Sequence, residues 1–228
     1  MKSTTQAPVG ETAVQRSYDA IMAMVHSFQL RPGERLNESS LSRELGVSRT
    51  PLREAMNRLV SENVLDFVPT KGFFRKVIKP REIYELYELR LALESAGARI
   101  AVVKSSDEDI DRVGAVLRQF TGIESQPFEI PRVVPYDELF HETIMSLSGN
   151  SEMLNALRSV NIRIRALRYL GVGASRFAAG QKEHRQIYSA LKRRDADAVV
   201  ELLTTHIGPR LEEVERNVRE LYGRIYVG

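Results

Sequence analysis

Four histidines and no cysteine set the limits on the chemistry that this 228-residue chain can carry. Without thiols there is no disulfide and no thiolate nucleophile, and a metal ion has to be held by His, Asp or Glu. Asp137 and His141 stand four residues apart, so on a helix both side chains project from one face, a turn apart. His184 keeps helical register with Ile187, Tyr188 and Leu191, and His206 with Val199, Leu202 and Leu203, which turns both imidazoles toward an apolar interior. Three inward imidazoles plus a carboxylate are the nitrogen and oxygen donors that zinc, nickel or a similar divalent ion prefers, with positions left open for water or a ligand. That chemistry requires three helices to meet at one point, which spacing does not dictate. Where they do not meet, each is an ordinary core histidine. With Glu142 or Glu183 as a base, the same set reads as a metal enzyme doing hydrolysis or oxygen chemistry, although no His-Glu-x-x-His stretch occurs. A third reading makes the ion itself the signal.

Arginines supply a second kind of chemistry. Arg163, Arg165 and Arg168 share one stretch, and Arg165 or Arg168 can anchor an organic acid through paired hydrogen bonds, the alternative being a solvated face. Arg90, four residues before Glu94, reads either as half of a helix-surface ion pair or as a pocket-facing cation. Near the N-terminus, Arg49, Arg53 and Asn57 recur at four-residue spacing with Thr50 beside them. Leu52, Ala55, Met56 and Leu59 occupy the opposite face of the same segment. Such a helix offers guanidiniums to base edges and Ser48, Thr50 and its own N-terminus to phosphates, as a major-groove recognition helix does. Residues 65–68 and 73–77 pair as strands across Pro69-Thr-Lys-Gly72, making a wing with Lys71 and Gly72 at its tip.

These side chains need scaffolds, and the rest of the chain supplies them. Residues 1–12 lack periodicity and read as a flexible tail. A helix carrying Tyr18, Ile21, Met22, Val25 and Phe28 follows, then Asn37 as N-cap of a short helix, Gly46 for a tight turn, and Ser48 as N-cap of the recognition helix. Lys79-Pro80 divides this winged-helix domain, 13–79, from residues 80–228. Beyond it the pattern predicts an all-α bundle of six helices: 81–104, one opening at Ser106, then 136–147, 151–170, 176–193 and 195–222, with a loop at 122–135. The fold class is therefore mainly α, a winged helix-turn-helix with a small β-hairpin followed by an all-α helical bundle.

Charge agrees with that division. Residues 1–79 carry 12 Lys and Arg against 8 Asp and Glu, net +4, whereas residues 80–228 are net −1. The basic excess sits with the DNA reader. No stretch approaches ~18 consecutive apolar residues and the N-terminus lacks the layout of a signal peptide, so a cytoplasmic protein with no membrane partner is expected.

Leu30-Arg-Pro-Gly-Glu-Arg-Leu36, Gly46-Val-Ser-Arg-Thr-Pro-Leu-Arg-Glu-Ala55 and Pro69-Thr-Lys-Gly72 resemble the winged-helix domain of the GntR family of bacterial transcriptional regulators. Arg90-Leu-Ala-Leu-Glu94, Asp137-Glu-Leu-Phe-His141, Ser148-Gly-Asn150, Glu183-His184 and His206 resemble the FCD effector domain of its FadR-like branch, and the six-helix count resembles the shorter VanR-type version. The resemblance covers nearly the whole chain after residue 13. It implies a homodimer on a palindromic double-stranded operator, with Ser48, Arg49, Thr50, Arg53 and the wing's Gly72 as DNA contacts; a repressor is the expected role. Ser39 stands where some members carry a DNA-touching Arg. It further implies a divalent metal, zinc in first place, on Asp137, His141, His184 and His206, and a small organic acid effector beside it.

Overall fold

Residues 12–124, 130–171, 174–208 and 211–227 are described by the computed structural model. Of the expected tail at residues 1–12, residues 1–11 lie outside them, and Thr12 is instead the cap of the first helix. Two compact units divide the chain, 1–77 and 78–228.

The first unit opens with α1 (Ala13–His26), capped by Thr12, whose hydroxyl accepts from the Gln15 N–H at 3.1 Å. Its buried stripe of Tyr18, Ile21, Met22 and Val25 packs on α3 (Arg49–Ser61), which buries Leu52, Ala55, Met56 and Leu59. Between them lies α2 (Glu38–Glu44), capped by Asn37. Gly46 takes φ +62°, the left-handed conformation that a glycine adopts without strain, and so turns α2 into α3. The wing is an antiparallel pair, β1 (Leu65–Val68) and β2 (Gly72–Arg75), in register Leu65 to Arg75 and Val68 to Gly72. The free edge of β2 is taken by residues 33–36: Arg35 bridges Phe74, and the Leu36 N–H donates to the Phe73 carbonyl at 2.9 Å. That edge pairing was not anticipated from sequence, because one bridge leaves no alternation to read.

The second unit is helical throughout its described residues: α4 (Pro80–Lys104), α5 (Asp107–Glu124), α6 (Ile130–Ser146), α7 (Ser151–Gly171), α8 (Ala174–Lys192), α9 (Ala196–Ile207) and α10 (Leu211–Val227). Seven helices replace the expected six, so the count that suggested a VanR-type version does not hold. The expected helix over 195–222 is cut by Gly208-Pro209: proline disfavours helical backbone in the residue before it, and Gly208 is extended at ψ 94°. The expected loop at 122–135 is helical at both ends, and its residues 125–129 lie outside the described residues. Helix α5 runs to Glu124 and α6 begins at Ile130, with Pro131 in its first turn, where a missing N–H costs nothing, and Pro135 inside it. The core joins Ala98 and Ala101 of α4, Val113 of α5, Phe140 and Ile144 of α6, Ile187 and Leu191 of α8, and Val199 and Leu203 of α9. Helix α4 packs against α6, α7, α9 and α10. Its small residues permit this closeness, since a Cβ on Gly97 would lie 2.5 Å from the Met145 sulfur.

Candidate functional site

Asp137 and His141 from α6, His184 from α8 and His206 from α9 meet inside the helical unit, and one donor atom from each falls within 4.8 Å of all the others. The convergence that spacing leaves open is thus present. His141 Nε2 and His184 Nε2 each lie 3.1 Å from His206 Nε2, and the Asp137 carboxylate approaches the three imidazoles at 3.7, 3.4 and 3.9 Å respectively for His141, His184 and His206. Phe140 stacks on His184 with ring centroids 4.2 Å apart, fixing that ring from the core side.

A second layer of carboxylates sets the tautomers. His141 Nδ1 is 2.5 Å from Glu94 Oε2, and His206 Nδ1 is 2.5 Å from Glu183 Oε2. An ionised carboxylate only accepts, so each Nδ1 carries a proton and each Nε2 turns to the centre. Burial pushes His184 below the ordinary imidazole range. Burial, reinforced by the imidazoles of His141 and His184, brings His206 down to about 3. Burial opposes ionisation of Asp137, yet Arg168 and His141 hold its carboxyl well below the usual range. Glu94 is likewise buried and is brought to about 2 by His141 and Arg90. Three imidazole nitrogens crowded around one carboxylate fit a divalent cation of the zinc or nickel type.

The three arginines named from sequence as effector anchors separate. Arg90 is buried, not on a helix surface: its Nε donates to Glu94 Oε1 at 2.6 Å, and its Nη2 lies 3.8 Å from Asp137. Arg168 donates to Asp137 Oδ2 and stands 3.5 Å from Glu138. Arg165 grips Glu138 with two bonds, at 3.0 and 2.6 Å. A cavity of about 490 Å³ opens against the histidines, and Tyr87, Arg90, Asp137, Arg168, His184 and His206 are part of its wall, whereas Arg165 is not. Neither proposed base suits an enzyme, because Glu142 pairs with Arg158 at 2.8 Å and Glu183 is committed to His206. Sequence reading missed Glu94 and Glu138 as buried acids. The signal was their i, i+4 placement from Arg90 and their position beside Asp137, both of which also occur on solvated helices.

In the first unit, Ser48, Arg49, Thr50 and Arg53 are exposed at the start of α3, and Lys71 and Gly72 stand at the wing turn, where Thr70 and Gly72 take φ +65° and +93°. Ser48 occupies the N-cap position without a side-chain capping bond. Arg49 Nη2 donates to Ser39 Oγ at 3.2 Å, and Arg53 lies 3.5 Å from Glu38.

Two family models match in tandem. The model described as "Bacterial regulatory proteins, gntR family" covers residues 13–74, and the FCD domain model covers 85–208. The Nta operon transcriptional regulator of Aminobacter aminovorans is 37% identical over 205 residues, which span 89% of this chain and 95% of that protein. The transcriptional repressor RspR of Escherichia coli K12 is 24% identical over 97% of this chain and 95% of its own length. Among solved structures, E. coli McbR/YncC has the same fold, with a TM-score of 0.72 at 22% identity over 94% of this chain and 99% of that one. No described helix is long and apolar enough to cross a membrane. Families and relatives alike are transcriptional regulators and not enzymes, and this chain belongs to the GntR family as a DNA-binding transcriptional regulator with an FCD domain.

Proposed function

We propose that the protein is a repressor that binds a palindromic operator as a homodimer and responds to a small organic acid held beside a divalent metal ion in the helical unit. The observation that carries the effector half of this reading is the meeting of three imidazole Nε2 atoms and the Asp137 carboxylate at the wall of a cavity that also presents Arg90 and Arg168. Asp137, His141, His184 and His206 would hold the ion, zinc in first place, and a bound ion supplies positive charge and open coordination positions for a carboxylate. Arg90 and Arg168 then orient the acid. Arg165 acts at one remove by fixing Glu138, which in turn positions Arg168.

On the DNA side, Ser48, Arg49, Thr50 and Arg53 enter the major groove, with Lys71 and Gly72 of the wing against the backbone. An acid that favours the dimer geometry in which the recognition helices miss successive grooves weakens operator binding by the same coupling free energy.

A thermal-shift screen of small organic acids, run on chelated and on zinc-repleted protein, tests the reading. At a hundredfold excess over its dissociation constant an acid stabilises the fold by about 2.7 kcal/mol. The expected result is a shift that needs the ion and is accompanied by release of operator DNA. Equal shifts in chelated protein would overturn the role of the metal. Arg49→Ala should abolish operator preference while leaving the melting temperature in place, and unchanged operator affinity would remove Arg49 from the contact set.

A further inference from the structure

A second concavity, of about 520 Å³, lies wholly within the first unit, and Arg35, Glu38, Ser39, Arg49, Arg53 and Gly72 are among its lining residues. Three guanidiniums therefore share one cleft, but they are not held alike. Ser39 fixes Arg49 and Glu38 faces Arg53, as described. Arg35 is exposed, and among the described residues it has no ion pair and no hydrogen bond from its side chain.

Its backbone, by contrast, is fixed. The bridge to Phe74 and the Leu36 bond to Phe73 lock residues 35 and 36 against β2, so the side chain leaves from the root of the wing. It runs alongside Gly72: a Cβ built on that glycine would lie 3.9 Å from both Nε and Nη2 of Arg35. The guanidinium therefore lies beside the wing turn, at ordinary contact distance from the space above Gly72.

We infer that Arg35 is a further DNA contact of this regulator, and that it binds a backbone phosphate and does not read a base. Base readout needs a guanidinium held in a set orientation, which the partners on α2 provide for Arg49 and Arg53. An unheld arginine on a fixed backbone offers charge with orientational freedom, and a phosphate accepts that equally well from many directions. The inference rests on the DNA-binding function of the family and not on the assignments of individual recognition-helix residues.

The test is the salt dependence of binding by the full chain to a fluorescein-labelled duplex of mixed sequence, followed by fluorescence anisotropy from roughly 50 to 200 mM salt. Each phosphate contact contributes a slope of about 0.9 in log affinity against log salt. Arg35→Ala should weaken binding, and its slope should be shallower by about that amount per bound protomer. The advantage of the wild type should thus shrink roughly three- to fourfold per contact across that salt range. Arg35→Lys should keep the wild-type slope. A wild-type slope in the alanine variant overturns the inference, as does a lysine variant that loses as much as alanine. Where Arg35→Ala melts early by circular dichroism, Arg35→Gln preserves the stem and the bridge, and it must show the same shallower slope.

Discussion

At Asp137 one carboxylate serves two directions: Oδ2 takes a hydrogen bond from Arg168, while Oδ1 faces His184 and His206. Removing one donor from the set should therefore empty the site without disturbing the rest of the core. We expect His184→Ala to purify without bound metal and to show no thermal shift on zinc addition, with metal content read by mass spectrometry. Full zinc occupancy in that variant would exclude His184 as a ligand. The same groups set a pH dependence for the metal-free protein. His184 and His206 bind protons less readily folded than unfolded, so the unfolded chain takes up protons first as pH falls below about 6.5. The stability they contribute is present above that pH and is lost on the way down, for His206 toward about 3. Asp137 and Glu94 add their own loss below the ordinary carboxylate range, for Glu94 toward about 2. Melting temperatures of chelated protein should fall steadily from pH 7 to pH 4, and a flat profile across that range would refute the assignment. All four inward donors could be named from sequence because Asp137 and His141 share a turn and His184 and His206 sit in apolar register. Of their buried partners, Arg90 could be named as a pocket-facing cation but not told from a helix-surface ion pair, and Glu94 and Glu138 could not be placed in the core, since a charged i, i+4 pair reads the same on a solvated helix as in a core.

Among the elements, α4 carries the heaviest packing demand, and α6 and α9, which it touches, bear three of the four donors. Leu203, fully buried on α9 three residues before His206, couples the core to the site. Leu203→Ala should cost about 2–5 kcal/mol, the usual range for an aliphatic truncation in a packed core, measured by urea denaturation. A change under about 0.5 kcal/mol, the level of a surface substitution, would show that α9 is not anchored there. The recognition helix was readable almost to the residue, because cap, turn glycine and apolar stripe all agree. The start of α6 and the division of α9 from α10 were not. In α6, prolines near a helix N-terminus resemble those of a loop. Between α9 and α10, only the three residues 208–210 intervene, which hardly disturbs a helical hydrophobic pattern.

For the molecule as a whole, two units with separate cores follow from the sequence division near Lys79-Pro80, and the donor set belongs to only one of them. Calorimetry of the full chain should resolve two transitions, of which only one moves when the ion is chelated. A single transition that shifts as a whole would show that the cores melt together. The ending of α9 carries a consequence for the site's motions. His206 stands one residue before that end, and Gly208 closes the helix with its N–H on the Thr204 carbonyl at 3.0 Å, in a space where a Cβ would lie 2.5 Å from that oxygen. The third imidazole thus rides on the turn most prone to fray, so amide deuterium uptake at Thr204 to Gly208 should be slow in zinc-loaded protein and fast after chelation. On the proposed reading, opening of one helical turn and escape of the ion would be a single event, observable without any knowledge of the effector.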